Sequence, residues 1–440
     1  MSEPVSEPVS DPVSDRRRHD VVVVGLGYVG LPLAQAAVGA GLSVGGLDAS
    51  AGVVASLAAG HSHVDDLSDE DVAKMVCAGF EPTTDPSCLA DTAAVVVCVP
   101  TPLGAEGGPD LAAVRAATTE LAAHLRPGTL VVLESTTYPG TTDEVVRPIL
   151  ETSGLRAGVD FPLAFSPERV DPGNTAYGIR NTPKVVGGHT PACTEAATAF
   201  YSLFVDTVVP TRGTREAETA KLLENTYRHI NIALVNEMAR FCHDLDIDLW
   251  EVIAAASTKP FGFQAFYPGP GVGGHCIPID PNYLSHNVRT RLGYPFRFVE
   301  LAQEINAAMP AYVARRVQDA LNEDGRALRG ARVLLLGVTY KADIADQRES
   351  PAVPVARRLL EQGAELAFHD PLIGRWDELA DELGPAATAV PDLDAAVAGA
   401  DVVVLLQRHR GYDVDALAAR SRRFLDTRGT VTPSAHAERL

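Results

Sequence analysis

The segment from residue 269 to residue 280, GPGVGGHCIPID, contains the residue types best suited to covalent chemistry. Four of its first six residues are glycines, and each glycine costs chain entropy on folding. We therefore expect them to let backbone amides pass close to a ligand. Cys276 follows this run, and Asp280 lies one helical turn further on. A thiol beside a cofactor could capture an aldehyde covalently. The alternative is a buried cysteine that serves only as a small hydrophobic residue.

Further polar residues could act on the same substrate. Lys221 and Asn225 stand four residues apart in a helical stretch. They therefore share one face and could stabilise an oxyanion, although the spacing alone is more typical of a solvated helix face. Glu134 and Glu168 each follow a candidate strand, in the runs ESTT and SPER. Open αβ sheets bind ligands at the carboxyl ends of their strands, so Glu168 is a candidate general base or water-holding residue. A surface turn is the alternative.

The elements that would position these residues begin with a dinucleotide-binding unit. The motif GLGYVG follows the strand Val21–Val24 and precedes a helix. In such a motif Gly25 permits the tight turn, Gly27 lets the backbone approach a pyrophosphate, and Gly30 allows close helix–strand packing. Asp48 ends the next strand, where it would bind the ribose hydroxyls and repel a 2′-phosphate. The pattern predicts NAD rather than NADP, and a purely structural glycine turn is the alternative.

The alternation of strands and helices predicts the fold class. It continues through the first half of the chain, where it indicates a parallel sheet with helices on both faces. From Arg215 the pattern becomes helical, and Glu216–Leu245 lacks Gly and Pro, which predicts one long helix. Strands and helices alternate again from Arg332, with Phe424–Asp426 as the last expected strand. We predict two Rossmann-like, doubly wound αβ domains joined by a central helical domain with one long helix.

The predicted domain boundaries follow the same changes of pattern. A short Ser-(Glu/Asp)-Pro-Val repeat opens the chain and has almost nothing to bury, which predicts disorder. The expected units are a disordered acidic tail (1–19), an NAD-binding Rossmann domain (20–212), a central helical domain (213–325) and a C-terminal αβ domain (326–440).

Composition limits the classes of function. The 440 residues carry a formal net charge of −20, which argues against a nucleic-acid partner. The longest apolar runs are about ten residues, short of the roughly 20 that span a bilayer. The six cysteines form no CxxC pair and the twelve histidines form no ligand cluster. We therefore expect no disulfide framework and no metal site. Without a signal-peptide pattern, the expected location is cytoplasmic.

Six stretches of the chain resemble the UDP-glucose/GDP-mannose dehydrogenase family, the nucleotide-sugar 6-dehydrogenases. They occur in the expected order, and the resemblance covers about residues 21–429. The stretches are GLGYVGLPLA, ESTTYPGTT, FSPERVDPGN, AKLLENTYRHINIALVNE, GPGVGGHCIPIDP and GVTYKADIADQRESP.

This resemblance implies a four-electron oxidation of the C6 alcohol of a nucleotide sugar to the uronate, with two NAD. It implies that Cys276 holds the aldehyde as a thiohemiacetal and then as a thioester. Lys221 and Asn225 match the family's oxyanion-stabilising pair, Asp280 matches the aspartate near the attacking water, and Glu168 and Thr136 match the remaining catalytic positions. The implied cofactor-binding residues are Gly25, Gly27, Tyr28, Val29, Gly30, Asp48, Thr101, Glu134 and Arg348. The implied substrate-binding residues are Arg169, Lys221, Asn225, Gly273 and Lys341, the last of them in the C-terminal domain that binds the nucleotide sugar.

Two departures concern the sugar. The branch specific for glucose usually has Phe-Leu-Arg-Glu after Ser-Pro-Glu, whereas this chain continues Arg169-Val-Asp171-Pro172. The same branch has lysine where this chain has Ile279. Both features look more like the branch acting on UDP-N-acetylhexosamines, so UDP-N-acetylglucosamine or a related sugar is the expected substrate. UDP-glucose or TDP-glucose is the alternative, because relatives in secondary metabolism use a glucose nucleotide.

Two other functions are weaker readings of the same residues. A two-electron hydroxy-acid dehydrogenase would leave Cys276 and the second αβ domain without a role. A non-catalytic nucleotide-binding protein would not need Lys221, Asn225 and Asp280 beside Cys276. The long helix, together with the family's assembly, predicts a homodimer or a higher homo-oligomer through the central domain.

Overall fold

The computed structural model describes residues 18–64, 66–104, 108–171, 173–174, 176–274 and 277–440. Its first part is an eight-stranded sheet in the order β3-β2-β1-β4-β5-β6-β7-β8. The strands are β1 (His19–Val24), β2 (Val44–Leu47), β3 (Glu81–Thr83), β4 (Thr92–Val97), β5 (Leu130–Leu133), β6 (Leu163–Phe165), β7 (Lys184–Gly188) and β8 (Val208–Pro210). The helices are α1 (Gly30–Gly39), α2 (Ala51–Ala58), α3 (Asp69–Cys77), α4 (Ala112–His124), α5 (Arg147–Leu150) and α6 (Pro191–Tyr201).

The β-branched run in β1 explains why this sheet is buried on both faces. Val21 and Val23 pack into the hydrophobic cluster on one face, and Val22 and Val24 pack into the cluster on the other. Fully burying each such side chain contributes about 2 kcal/mol. Neighbouring strands are parallel except for the β6–β7 pair, which is antiparallel. The carboxyl ends of β1, β4, β5 and β6 therefore lie along one edge of the sheet.

Four helices form the middle of the chain. They are α7 (Thr214–Asp244), α8 (Leu249–Ser257), α9 (Asp280–Leu292) and α10 (Arg297–Glu323). The 31 residues of α7 give it a length of about 46 Å. The second half of α10 joins the core of the last domain, where Met309 and Val317 share a hydrophobic cluster with Leu335. In the part of the chain described here, no helix is both long and apolar enough to span a membrane.

The last part is a five-stranded parallel sheet in the order β10-β9-β11-β12-β13. Its strands are β9 (Arg332–Leu336), β10 (Glu365–His369), β11 (Val402–Leu405), β12 (Phe424–Asp426) and β13 (Ala437–Arg439). Its helices are α11 (Ala352–Glu361), α12 (Ala380–Leu383), α13 (Leu393–Gly399) and α14 (Val414–Arg420). Hydrophobic clusters cover both faces of this sheet as well.

The predicted fold class is confirmed: two doubly wound αβ domains flank a helical centre that contains one long helix. One expectation is wrong, because Phe424–Asp426 is not the last strand. The short strand β13 pairs with it in parallel, with Phe424 opposite Ala437. Three residues with the sequence AER carry no strand periodicity, so only the neighbouring strand reveals this one. The predicted tail lies outside the described residues up to residue 17, and His19 already belongs to β1.

Candidate active site

One face of helix α7 gathers the polar residues of the site. Glu218, Lys221 and Asn225 are spaced by three and four residues, so they share this face. All three side chains are buried. Buried polar groups must find partners, and each of these three bonds to a different segment of the chain.

Lys221 holds the loop after β6. Its ammonium donates to the main-chain oxygen of Glu168 at 2.6 Å and lies 3.4 Å from the carboxylate Oε2 of the same residue. The other carboxylate oxygen of Glu168 accepts from the amide of Val170. Two of the predicted catalytic residues are therefore in direct contact. An ammonium and a carboxylate in this arrangement are groups that can stabilise charge or move a proton at a nearby oxygen.

Asn225 holds the first residue of α9. Its side-chain amide donates to Oδ2 of Asp280 at 2.5 Å, and Asp280 is only 2% exposed. Burial raises the pKa of Asp280 to about 6, although the charge of Lys221 and the hydrogen bond from Asn225 oppose this rise. A carboxyl group with this pKa is a carboxylate at neutral pH and can still accept a proton from water.

Glu218 holds the turn after β5 and was missed by the sequence analysis. Its carboxyl oxygens accept from the amides of Gly140 at 2.5 Å and Thr142 at 2.9 Å, and from the Thr142 hydroxyl at 2.7 Å. Burial raises the pKa of Glu218 to about 7, and nearby Asp143 adds to the rise. The available signal was an acid one helical turn before Lys221 on the same face.

The thiol proposed to react, Cys276, lies outside the described residues together with His275. Its flanks are described. Gly274 precedes the gap, and Asp280 begins α9 four residues after the cysteine.

The glycine loop lies against the C-terminal domain. A Cβ atom on Gly273 would lie 2.7 Å from Cδ of Pro351 and 2.9 Å from the Glu349 oxygen. The amide of Gly274 donates to the same Glu349 oxygen at 3.2 Å. The close approach of Gly273 in this structure is therefore to the C-terminal domain, and a contact of these glycines with a ligand stays a prediction. Side chains there would push the two domains apart.

The glycine turn after β1 has the geometry of a dinucleotide-binding site. Gly25 has φ +89°, and a Cβ on Gly30 would lie 1.8 Å from the Gly25 oxygen. A Cβ on Gly27 would meet no atom within 4 Å, so the backbone there is open to a ligand. Asp48 directly follows β2, and its two oxygens accept from the amides of Leu26 at 2.9 Å and Ser50 at 2.8 Å. Each oxygen keeps a second lone pair for a ribose hydroxyl.

Arg348 of the C-terminal domain contacts this turn, and Tyr283 of α9 contacts the loop after β4. The guanidinium of Arg348 lies 5.8 Å from the ring centre of Tyr28, which stands beside Val29 in the turn, and it is paired with Asp346 at 2.7 Å. The main-chain oxygen of Thr101 accepts from the hydroxyl of Tyr283 in α9. Tyr28 and Arg348 thus lie at a contact between the first and the C-terminal domains, and Thr101 lies at a contact between the first domain and α9.

Besides Lys221, the predicted substrate-binding cations are Arg169 and Lys341, and both are in ion pairs. Arg169 contacts Glu224 of α7 at 2.7 Å and donates to the Pro183 oxygen at 2.6 Å. Lys341 contacts Asp171 at 2.6 Å and so connects the C-terminal domain to the loop after β6. A bound anion would have to share these cations with their carboxylates.

The remaining predicted residues follow β5. Thr136 is half-buried in the turn that Glu218 holds. Glu134 is buried, and its carboxylate bonds to Lys184 at 2.8 Å and to the Tyr201 hydroxyl. Its oxygens therefore face protein groups, and a direct contact with a cofactor stays a prediction. Among the described residues, no group of three acidic, histidine or cysteine side chains is placed to hold a metal.

Comparison with known proteins gives matches along most of the chain. Three models of the UDP-glucose/GDP-mannose dehydrogenase family match in order: the NAD binding domain at residues 19–205, the central domain at 215–308 and the UDP binding domain at 334–433. The three matches coincide with the first sheet, the helical centre and the second sheet.

Individual relatives match at similar length. The UDP-N-acetyl-D-mannosamine dehydrogenase of Salmonella typhi is 33% identical over 427 residues, covering 93% of this chain and 98% of that protein. The UDP-N-acetyl-D-glucosamine 6-dehydrogenase of Pseudomonas aeruginosa is 37% identical over 367 residues, covering 82% and 84%. The solved structure of a UDP-D-ManNAc dehydrogenase from Pyrococcus horikoshii superposes with a TM-score of 0.85 at 30% identity, covering 95% and 98%.

Replacing Asp48 tests the ribose contact. We expect Asp48→Ala to raise the KM for NAD about tenfold and to reduce the preference for NAD over NADP, because a charged hydrogen-bond acceptor is lost. Steady-state kinetics with both cofactors measures this. Asp85→Ala is a matched control, since Asp85 also accepts from a main-chain amide, that of Ser87, in the same domain. Unchanged KM and preference would remove Asp48 from the ribose site.

Replacing Glu218 tests the buried carboxyl group that holds the β5 turn. A raised pKa means that its stabilising contribution is complete below about pH 4.5 and is lost as the pH rises through 7. The pKa difference corresponds to about 3 kcal/mol of unfolding free energy. We therefore expect the Tm advantage of the wild type over Glu218→Gln to shrink between pH 5 and pH 8. The exposed Glu70→Gln is the control, and a constant difference across this range would contradict the prediction.

Proposed function

The chain belongs to the UDP-glucose/GDP-mannose dehydrogenase family and is an NAD-dependent nucleotide-sugar dehydrogenase, and we propose that it oxidises the C6 alcohol of a UDP-N-acetylhexosamine to the uronate. The observation that carries this proposal is that Lys221 and Asn225, on one face of α7, contact Glu168 and Asp280. Asp280 stands four residues after Cys276 in the chain. The overall change consumes the alcohol, two NAD and one water, and yields the carboxylate, two NADH and three protons.

Cys276 is the proposed covalent catalyst. NAD, which the glycine turn after β1 and Asp48 would hold, would supply the hydride acceptor for the two oxidations. The thiolate of Cys276 adds to the C6 aldehyde, which forms a C–S bond and places negative charge on the former carbonyl oxygen. Lys221 and Asn225 are the proposed donors to that charge, because they share one face of α7 and Asn225 contacts Asp280 at the start of α9. Holding the aldehyde on sulfur prevents its release between the two oxidations.

Asp280 is the proposed proton acceptor for the last step. After the second oxidation, the sugar is bound to Cys276 as a thioester. Water attacks the carbonyl carbon, its proton goes to the carboxylate, and the C–S bond breaks to return the thiolate. Burial keeps the pKa of Asp280 at about 6, which is close enough to neutrality for proton uptake. The hydrogen bond from Asn225 fixes the carboxyl group for this role.

The sugar is assigned from the loop after β6 and from the relatives. Arg169 and Asp171 occupy the positions where the glucose branch has a different sequence, and both are used in ion pairs beside the site. The named relatives act on UDP-N-acetylmannosamine and UDP-N-acetylglucosamine according to their names. This supports a UDP-N-acetylhexosamine without choosing its epimer.

A panel of four nucleotide sugars tests the proposed substrate. Initial rates of NADH formation are measured with UDP-N-acetylglucosamine, UDP-N-acetylmannosamine, UDP-glucose and TDP-glucose. We expect kcat/KM for one of the two N-acetyl sugars to exceed that for both glucose nucleotides by at least about 100-fold. A glucose nucleotide lacks the acetamido group, so the polar atoms of the site that would bond to this group are left unpaired. A glucose nucleotide as best substrate would favour the alternative, and no NADH with any sugar would contradict the function.

We also propose that two copies pair through α7. Leu223, Tyr227, Leu234 and Phe241 form an apolar stripe along one face of this helix, and they are 45% to 64% exposed in the single chain. Their spacing of four, seven and seven residues keeps them on one side over about 27 Å. Large contiguous apolar surfaces of this kind are typical of interfaces, and a self-complementary stripe suits a two-fold pair.

The oligomeric state tests this pairing. We expect a wild-type mass near twice the 46.5 kDa of the chain, or a higher multiple, by light scattering after size exclusion. Leu234→Glu places a charge in the stripe and should lower the mass to that of the single chain. Leu203→Glu changes a comparably exposed leucine in the first domain and should leave the mass unchanged. A monomeric wild type, or a Leu234→Glu variant of unchanged mass, would contradict the proposal.

A further inference from the structure

Lys184 is a buried lysine outside the proposed catalytic set, and it contacts two loops of the site. Lys184 opens β7 and is almost wholly buried. Its ammonium lies 2.8 Å from Oε2 of Glu134 and 5.0 Å from the centre of the Tyr201 ring. The Tyr201 hydroxyl donates to the other oxygen of Glu134. These three residues, Lys184, Glu134 and Tyr201, form a closed polar cluster that we call the buried trio.

The buried trio connects two loops of the site. Glu134 directly follows β5 and stands two residues before Thr136. The ammonium of Lys184 also donates to the main-chain oxygen of Pro167 at 3.3 Å, one residue before Glu168. A single side chain therefore bonds to the start of the ESTT loop and to the start of the SPER loop.

Two lysines hold consecutive carbonyl groups of the SPER loop. Lys184 of β7 binds the oxygen of Pro167, and Lys221 of α7 binds the oxygen of Glu168. Lys221 is a proposed catalytic residue, whereas the ammonium of Lys184 is already bonded to Glu134 and to the Pro167 oxygen. The hydrogen bond from Lys184 to the Pro167 oxygen can still fix the position of Glu168, which is the next residue in the chain.

The cost of burial argues that the trio does more than fill space. Removing an ammonium and a carboxylate from water is expensive, and well-packed apolar side chains of similar volume are commonly as stable as a buried ion pair. Directional bonds to the main chain, by contrast, specify position. We propose that Lys184 is a positioning residue, which fixes the separation of the Thr136 and Glu168 loops, and that Glu134 serves it as counter-ion rather than contacting NAD. This inference rests on the proposed function.

A charge-neutral double variant is the appropriate test. Lys184→Met alone would leave the Glu134 carboxylate buried and unpaired, and such variants often fail to fold. Lys184→Met/Glu134→Gln removes both charges, and the amide oxygen can still accept from Tyr201. Lys74→Met/Glu70→Gln is the matched control, because it makes the same two changes in a pair at the same 2.8 Å whose side chains are 67% and 78% exposed.

The expected result is a loss of turnover without a loss of cofactor binding. We expect kcat of the double variant to fall at least about tenfold, since displacements of about 1 Å can cost up to 100-fold, while KM for NAD changes less than about twofold. The control should match the wild type in both. An increased KM for NAD with unchanged kcat would instead make Glu134 a cofactor contact. Unchanged values of both would make the trio a packing element, and either result overturns the proposal.

Coupling to Glu168 separates positioning from general damage. In a Glu168→Gln background, the double change should cost less than about threefold in kcat, because residues that act through one another are non-additive. A full tenfold loss in that background would contradict the proposal. Wild-type turnover is measured first, so failure of the proposed function appears as an inactive wild type. Failure of this inference appears as an active enzyme that the variant leaves unchanged.

Discussion

The site depends on one constraint, which is that three segments from different parts of the chain must bond to one face of α7. Glu218 accepts from the β5 turn, Lys221 donates to the loop after β6, and Asn225 donates to the first residue of α9. A helix is rigid and rises by about 1.5 Å per residue, so the distances between side chains along it are fixed. The spacing of these three side chains therefore sets the relative positions of the loops. The sheet contributes by ending β5 and β6 at the edge that α7 crosses.

The C-terminal domain completes this arrangement from the other side. The segment after β9 contacts the glycine loop at Gly273, the loop after β6 through Lys341, and the glycine turn through Arg348. Glu349, which accepts from the amide of Gly274, has φ +51°, a conformation that costs a non-glycine residue about 1 kcal/mol or more. This strained residue stands at the contact with the loop that leads to Cys276. The C-terminal domain, which matches the family's UDP binding domain, thereby contacts Gly273 and Gly274, the residues that precede His275 and Cys276 in the chain.

The sequence predicts the parts of this structure that are local. The glycine motif and its strand, the two αβ halves, and the long helix to within two residues at its start follow from periodicity and turn chemistry. Glu218 was missed because its partner Thr142 stands 76 residues away in the chain, and Lys184 was missed because its counter-ion Glu134 also belongs to a distant segment. The approach of Gly273 to Pro351 was missed as well, because the sequence does not show that these two segments meet. The contacts between distant segments could not be predicted, because such contacts leave no periodic signal in the sequence.

The covalent role of Cys276 is the central chemical claim, and the number of NADH formed per sugar consumed tests it most directly. With the best substrate of the panel, the wild type should form two NADH and one uronate per sugar, with no free aldehyde. Cys276→Ser should lose uronate formation, since an alkoxide is a poorer leaving group than a thiolate. One NADH per sugar with released aldehyde, or full turnover to the uronate by Cys276→Ser, would contradict the account.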